Sequence, residues 1–160
     1  MSGPVLLDNT VLVNFATADC VDLVLDSALG RVCTTPAVIS EYEAGVVEGH
    51  VPEGVWAPLP RLECTAEEAA FAHSMSNRLG AGERSCIAVA LHRQGLFASD
   101  DADARSDARE HEIPVTGTLG ILVVNVKHGA LTRQGANAVL RTMTEAGYRA
   151  PVDRIDPLLD

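Results

Sequence analysis

The sequence PVLLDNTVLVNF, at residues 4–15, decides the fold. Its first four residues form a short apolar run that ends at Asp8, and Val11, Leu12 and Phe15 follow at helical spacing. An apolar run of this length bounded by polar residues is typical of a buried strand, and the spacing after it is typical of an amphipathic helix. The stretch therefore predicts a strand that delivers Asp8 to its carboxyl end, with a helix beginning immediately afterwards.

The remainder of the chain repeats this alternation of short strands and helices. Further strands are predicted at residues 31–34, 55–57, 96–99 and 113–115. Helices are predicted at residues 21–29, 36–48, 67–79, 82–93, 101–110, 117–128 and 132–146. Strands that alternate with helices favour a parallel sheet that helices cover on both faces. We therefore predict an α/β fold, a three-layer α/β/α sandwich around a central, mostly parallel sheet of four to five short strands.

The chain has the size of one domain, and it shows no membrane or export signal. With 160 residues, a division into two domains is disfavoured, so we predict one domain at residues 1–150 and an acidic C-terminal tail at residues 151–160. The longest apolar runs, such as residues 121–124, are far shorter than the roughly 18 residues that a membrane span needs. The N-terminus lacks the basic and apolar regions of a signal peptide. A cytoplasmic protein with no membrane partner is expected.

Charge and cysteine content narrow the chemistry further. The chain carries 12 basic and 22 acidic residues, a net charge of -10, which opposes broad electrostatic binding to nucleic-acid phosphates. Any role on nucleic acid must therefore use a local site. The cysteines form no C-x-x-C pair, so a zinc site is disfavoured and reduced, mostly packed thiols are expected. These are Cys20, Cys33, Cys64 and Cys86.

Four acids fall at or near the ends of predicted elements that face one edge of the sheet. They are Asp8, Glu41, Glu83 and Asp101. Functional groups gather beyond the carboxyl ends of the strands in such sheets. Carboxylates packed within about 4 to 6 Å raise the pKa of at least one member unless a cation neutralises them. Because oxygen-only ligands select hard ions, the set predicts a Mg²⁺ or Mn²⁺ site.

Each acid also has a simpler structural interpretation, which the sequence leaves open. Asp8 is a favoured helix N-cap, and Glu83 in a first helical turn stabilises the helix dipole. Glu43 competes with Glu41 as the functional acid of its helix. The acidic run at residues 100–107 is also typical of a solvated helix face.

Five segments carry a resemblance to a known family. They are LLDNTVLVNF (residues 6–15), TTPAVISEYEAG (34–45), LGAGERSCIAVALHR (79–93), FASDDADARSDA (97–108) and VTGTLGILVVNVKHGAL (115–131). In this order they resemble the successive motifs of the PIN-domain nucleases, whose relatives include VapC-type toxins. The resemblance spans residues 5–131, and it is specific as a set rather than in any single motif.

The resemblance implies roles for individual residues. The catalytic, metal-binding acids that it implies are Asp8, Glu41, Glu83 and Asp101. Glu83 is one methylene longer than the aspartate that most relatives use. A further ligand and three auxiliary residues are implied beside the four acids: Asp103, and Asp100, Ser99 and Thr10.

Two arginines are the candidate RNA-binding residues. Arg105 and Arg109 lie four residues apart on one predicted helix face. Their guanidinium groups either contact phosphates or pair with nearby acids such as Asp101 or Glu112. The sequence does not decide between these two roles.

The resemblance implies a Mg²⁺- or Mn²⁺-dependent endoribonuclease, a hydrolase that cleaves RNA phosphodiester bonds with metal-activated water. It also implies a toxin role beside an antitoxin protein, and a homodimer in which apolar residues 117–126 supply the seam. The net charge and the departures from the family pattern at Asn9, Glu83 and Ser99 keep open an alternative, a catalytically silent PIN-like module that binds protein or RNA. A phosphoryl-transfer enzyme with Asp8 as nucleophile is disfavoured, because Thr10 stands where such enzymes have a second acid.

Overall fold

The structure, a computed structural model, describes residues 3–160. The first two residues of the predicted domain lie outside the described residues. Within this range the strands are β1 Val5–Leu7, β2 Val32–Cys33, β3 Leu96–Ala98 and β4 Val115–Thr116. The helices are α1 Asn9–Thr17, α2 Asp22–Leu25, α3 Pro36–Val47, α4 Ala66–Ser74, α5 Ala81–His92, α6 Ala102–Glu110, α7 Thr118–Lys127 and α8 Arg133–Glu145, and a 3-10 turn follows at Asp156–Leu158.

The strands form one parallel sheet in the order β2-β1-β3-β4. In the centre, Leu6 of β1 pairs with Cys33 of β2 and with Phe97 of β3, and β3 pairs in parallel with β4. Helices cover both faces, so the predicted three-layer α/β/α fold is confirmed. Because the strands run in the same direction, the residues that follow the two central strands, Asp8 and Ser99, meet at one edge.

The core is built on β1, all of whose residues are buried. Leu6 and Leu7 are fully buried, together with Phe15 of α1 and Phe97 of β3. A strand covered on both faces reads as a continuous apolar run rather than an alternating one. This burial explains why the four apolar residues 4–7 were sufficient to predict the strand that positions Asp8.

The second helix is much shorter than the sequence predicts. The prediction of a helix over residues 21–29 is wrong, because α2 spans only Asp22–Leu25. The Ser27 N–H donates to the Val24 carbonyl at 3.3 Å, which tightens the chain after the helix. Gly30 then has a φ of +136°, a conformation that favours glycine and is incompatible with a helix.

The predicted strand at residues 55–57 is also wrong, because this segment forms turns. The Ala57 N–H donates to the Gly54 carbonyl at 3.2 Å, and Gly54 has a φ of +78°. Trp56 is buried in this segment, and its Nε1 donates to the Leu12 carbonyl at 3.2 Å. The apolar residues of the segment therefore cover the core without joining the sheet.

The other boundaries differ from the predictions by a few residues. The helix predicted at residues 67–79 ends at Ser74, whose hydroxyl donates to the Phe71 carbonyl at 2.7 Å. The last strand begins at Val115 and not at residue 113, because Pro114 has no N–H to donate to a ladder.

The C-terminal segment, residues 151–160, packs on the rest of the domain. Ile155 is fully buried, and its N–H donates to Oδ1 of Asn137 in α8 at 2.7 Å. All four cysteines are free thiols, and Cys33 and Cys86 are buried. Across residues 3–160, no helix is both long and apolar enough to cross a membrane.

Candidate active site

Asp8 follows β1 at the carboxyl edge of the sheet, which we call the acidic edge. Its side chain is almost completely buried, and 1% of the residue surface is exposed. It is the N-cap of α1, and Oδ1 accepts hydrogen bonds from the N–H and the hydroxyl of Thr10, at 2.9 and 2.5 Å. Oδ2 accepts from the Ser99 hydroxyl at 2.5 Å. The pKa of Asp8 is raised to about 7, mainly by burial and further by the charges of Glu83 and Asp100, against the lowering effect of the hydrogen bonds from Ser99 and Thr10.

Two hydroxyl side chains connect Asp8 to the acids that follow β3. The Ser99 hydroxyl, which donates to Asp8, accepts from the Asp101 N–H at 3.1 Å. The Thr10 hydroxyl accepts from the Asp100 N–H at 2.9 Å. The auxiliary residues predicted from the sequence thus fix the distance between Asp8 and the chain at Asp100 and Asp101.

Asp101 is the N-cap of α6, and its Oδ1 accepts from the Ala104 N–H at 2.9 Å. Asp103 lies two residues further along, in the first turn of α6, and is exposed. Its Oδ2 lies 4.0 Å from Nε of Arg78. Asp101 therefore belongs to the edge directly, whereas Asp103 lies at its solvent side.

Glu41 and Glu83 meet at the start of α5. Oε1 of Glu41 accepts from the Gly82 N–H at 2.9 Å, and Oε1 of Glu83 accepts from the Gly80 N–H at 3.0 Å. A Cβ at Gly82 would lie only 2.5 Å from Oε1 of Glu41, so glycine is what permits this approach. Glu43 is exposed and has no part in this contact, which separates the two glutamates that the sequence left open.

The charges of the edge act on Glu83 as well. Burial raises its pKa, and the charges of Asp101, Glu41 and Asp103 raise it further, against the lowering effect of the Gly80 hydrogen bond. The charge of Glu83 also raises the pKa of Asp8. The four acids are therefore linked through their charges.

The acids do not converge on one point. Glu41, Glu83 and Asp101 each bond through one carboxylate oxygen to a backbone N–H. Among residues 3–160, no three histidine, cysteine or acidic side chains are placed to hold a metal ion together. The donor chemistry nevertheless fits a hard cation, because the set offers only carboxylate oxygens and the pKa of its central acid is raised by burial and by negative charge.

A family model described as a PIN domain matches residues 4–160. The chain belongs to the PIN-domain family. The family predicted from the five sequence segments is therefore confirmed, and the fold is one that generally serves nucleases. No curated protein and no solved structure matches the chain.

Asp100 has a role in this PIN domain that the sequence did not reveal. Its Oδ1 accepts from the Thr118 N–H at 2.8 Å, and its Oδ2 accepts from the Thr118 hydroxyl and from Nδ2 of Asn14, at 2.5 and 3.0 Å. Asp100 therefore ties the end of β3 to the start of α7. A Cβ at Gly117 would lie 2.5 Å from its Oδ1, so glycine is required for this close approach.

Asn14 is the positioning residue that sequence reasoning missed. It is 8% exposed, and its Nδ2 bonds to both Asp100 and Thr118, at 3.0 and 3.1 Å. The sequence did contain an indication of this role, because Asn14 is a polar residue next to the core residue Phe15 on a largely apolar helix. Buried amides are retained only where they find hydrogen-bond partners.

The structure gives the two candidate RNA-binding arginines different environments. Nη1 of Arg105 donates to the carbonyls of Ser99 and Thr116, both at 2.8 Å, and so joins the ends of β3 and β4. Arg109 is exposed in the last turn of α6. Of the pair, Arg109 is the one whose side chain extends into solvent.

Proposed function

We propose that this PIN domain is a Mg²⁺- or Mn²⁺-dependent endoribonuclease that hydrolyses RNA phosphodiester bonds. The observation that carries the proposal is the environment of Asp8, a buried carboxylate whose pKa is raised to about 7 at the carboxyl edge of a parallel sheet. Strongly perturbed acids at such an edge are typical of functional sites. The order of acidic motifs along the chain supports the same activity.

In this proposal, Asp8 and Asp101 would hold the principal ion, and Glu41 and Glu83 would bind it directly or through water. Asp103 is an outer ligand. A bound divalent ion supplies an activated water and neutralises charge on the phosphate. Thr10 and Ser99 keep the Asp8 carboxylate in one orientation through hydrogen bonds to both of its oxygens.

Glu83 is the acid best suited to accept a proton from the attacking water. It is half-buried, and its pKa is raised by burial and by its acidic neighbours, which moves it toward the working pH of a general base. Arg109, on the exposed face of α6, provides a positive charge for the RNA backbone. Such a local contact is what a chain with a net charge of -10 requires.

The biological setting belongs to the same proposal. We place the enzyme in the cytoplasm as an RNA-cleaving toxin that an antitoxin protein neutralises, and we expect a homodimer. Support for this setting comes from the likeness of its motifs to those of VapC-type relatives. Ile121 and Leu122 of α7 are fully buried within the chain, so a dimer seam on this helix would use its partly buried Val123 and Val124.

The test is isothermal titration of Mn²⁺ into the protein, with single-stranded RNA cleavage measured on the same samples. Asp8→Asn and Glu41→Gln are the site variants. Glu43→Gln is the matched control, because Glu43 lies on the same helix and is exposed. We expect saturable Mn²⁺ binding and Mn²⁺-dependent cleavage in the wild type and the control, and loss of both in the site variants. Absence of Mn²⁺ binding by the wild type would refute the proposal.

A second candidate is a catalytically silent PIN module that binds RNA or protein. It is favoured by one observation, namely that three of the acids each bond to a backbone amide and do not surround a common point. The same experiment separates the two functions. Mn²⁺ binding without cleavage of any tested RNA would favour the silent module.

A further inference from the structure

A cavity of about 430 Å³ lies beside the acidic edge, between the end of β4, the start of α7 and the C-terminal segment. We call it the α7 cavity; its lining includes Asp100, Leu119, Tyr148, Arg149 and Leu158. Asp100 lines the cavity, and its N–H donates to the Thr10 hydroxyl, which in turn donates to Asp8, so a short chain of hydrogen bonds links the cavity wall to the proposed catalytic edge. Its volume is in the range of cavities that hold small organic ligands.

One wall of the α7 cavity is apolar and open to solvent. Leu158 is 39% exposed, and Leu119 and Val123 of α7 line the same cavity. Among residues 3–160, Leu158 and Val47 are the exposed large hydrophobic side chains. An apolar wall of this kind beside polar groups is suited to the face of a flat ring.

Two arginines and one acid, Asp100, line the cavity in an otherwise acidic protein. Arg105 and Arg149 both line it, although the chain has only 12 basic residues. Nη1 of Arg105 is occupied by backbone carbonyls, whereas Arg149 is exposed. Tyr148 adds an aromatic ring and a hydroxyl, whose pKa is raised by burial and by Asp100, so the hydroxyl remains a neutral donor.

We propose that the α7 cavity is a nucleotide subsite, in which one base lies against Leu158 and the α7 wall while Arg149 contacts the phosphate. The combination of an apolar wall, an aromatic phenol and an exposed guanidinium matches the base and the phosphate of one nucleotide. The identification of that nucleotide as part of an RNA substrate, next to the cleaved bond, rests on the proposed nuclease function. The subsite would then determine which base is accepted at that position.

The test titrates 5′-AMP, 5′-UMP, adenosine and ribose 5-phosphate into the metal-free protein of residues 1–160, with binding followed by amide NMR shifts. The cavity variants are Leu158→Ser and Arg149→Ala. The matched controls are Val47→Ser, the other exposed large hydrophobic residue, and Arg141→Ala, an exposed arginine of α8. Thermal unfolding of each variant confirms that the fold is retained.

We expect Leu158→Ser to lower the affinity for both nucleotides by at least about fivefold, because part of the contact between the base and the leucine side chain is lost. The affinity for ribose 5-phosphate should be unchanged. Arg149→Ala should reduce 5′-AMP binding to the level of adenosine. The subsite is refuted if ribose 5-phosphate binds as tightly as the nucleotides, or if Val47→Ser weakens them as much as Leu158→Ser does.

The outcome is independent of cleavage, because the titration contains no metal and no RNA. Nucleotide binding that depends on Leu158 and Arg149 supports the subsite even if the protein cuts no RNA. Conversely, metal-dependent RNA cleavage by a protein that binds none of the nucleotides refutes the subsite and leaves the nuclease proposal intact.

Discussion

Replacement of Asp8 by asparagine should stabilise the metal-free protein at neutral and alkaline pH. In the folded state burial raises the pKa of Asp8 from 3.8 to about 7. At about 1.4 kcal/mol per pKa unit, the ionised carboxylate costs about 4 kcal/mol of folding free energy above pH 7. Below pH 3.8 the carboxyl is protonated in both the folded and the unfolded chain, and the cost vanishes.

The sign of the pH dependence follows from this difference. Because the folded state holds its proton more tightly, the free energy of unfolding falls as the pH rises from about 4 to about 7 and then levels off. Asparagine keeps an oxygen for Thr10, and its amide can donate to the Ser99 hydroxyl oxygen, but the Ser99 hydroxyl then loses the carboxylate oxygen to which it donates. The loss of that hydrogen bond is the same at every pH, so the difference between the two pH profiles still reports the charge of Asp8.

The measurement is urea unfolding at several pH values between 4 and 8 in a chelator, followed by the fluorescence of Trp56, the single tryptophan. Relative to the wild type, the stability of Asp8→Asn should rise by about 4 kcal/mol across this range. Mn²⁺ should then stabilise the wild type and not the variant. Parallel pH profiles for the two proteins would refute the reasoning, since they would mean that Asp8 does not titrate in this range.

Three further predictions concern other contacts. Gly82→Ala should lower Mn²⁺ affinity by about tenfold, because its Cβ would lie 2.5 Å from Oε1 of Glu41, and it should also cost some stability, because the same Cβ would lie 3.1 Å from Cγ2 of the buried Val38; Mn²⁺ titration of this variant and of the control Gly45→Ala, at a helical glycine of α3, checks the first expectation. Glu68→Ala should lower the free energy of unfolding by about 1 to 3 kcal/mol, because it leaves Arg93, whose side chain is partly exposed, without the carboxylate that it contacts at 2.8 Å. The Arg93 hydrogen bond lowers the pKa of Glu68 to about 2, so the wild type should lose this advantage as the pH falls from 4.5 to 2, as urea unfolding would show. Asn14→Ala should cost about 1 to 3 kcal/mol by leaving Asp100 and Thr118 short of a donor, and chemical denaturation that shows no loss would contradict the positioning role.

The local sequence pattern was sufficient to predict an element when the residues of that segment alone determine its structure. The apolar run before Asp8 predicted β1, because a strand covered on both faces has no polar alternation to obscure it. The parallel direction of the strands then placed Asp8, Ser99 and Asp101 at one edge without any knowledge of their contacts. The ends of the predicted helices indicated Glu41 and Glu83, and the resemblance supported them, but neither predicted that the two glutamates meet at the start of α5.

The sequence pattern did not predict the role of a side chain whose hydrogen-bond partner is distant in sequence. Asn14 bonds to Asp100, 86 residues away, and Arg105 bonds to the carbonyl of Thr116 in the next strand. Trp56 reaches the Leu12 carbonyl from a turn that resembled a strand. In each case a tertiary hydrogen bond decides the role of the side chain, and neither hydrophobic periodicity nor residue preference contains that information.

The functional and the structural interpretations of the acids turn out to be compatible. Asp8 and Asp101 are N-caps, and Glu83 accepts from the N–H of Gly80 at the start of α5. Helix N-termini carry partial positive charge, so each acid is stabilised by the end of a helix while no cation is bound. The fold can therefore hold several carboxylates at one edge. The buried Asp8 has the largest unfavourable electrostatic energy, so we expect a divalent ion to stabilise its ionised form the most. Side-chain truncation at these positions removes a helix cap as well as a proposed ligand, so amide substitutions are needed to separate the two contributions.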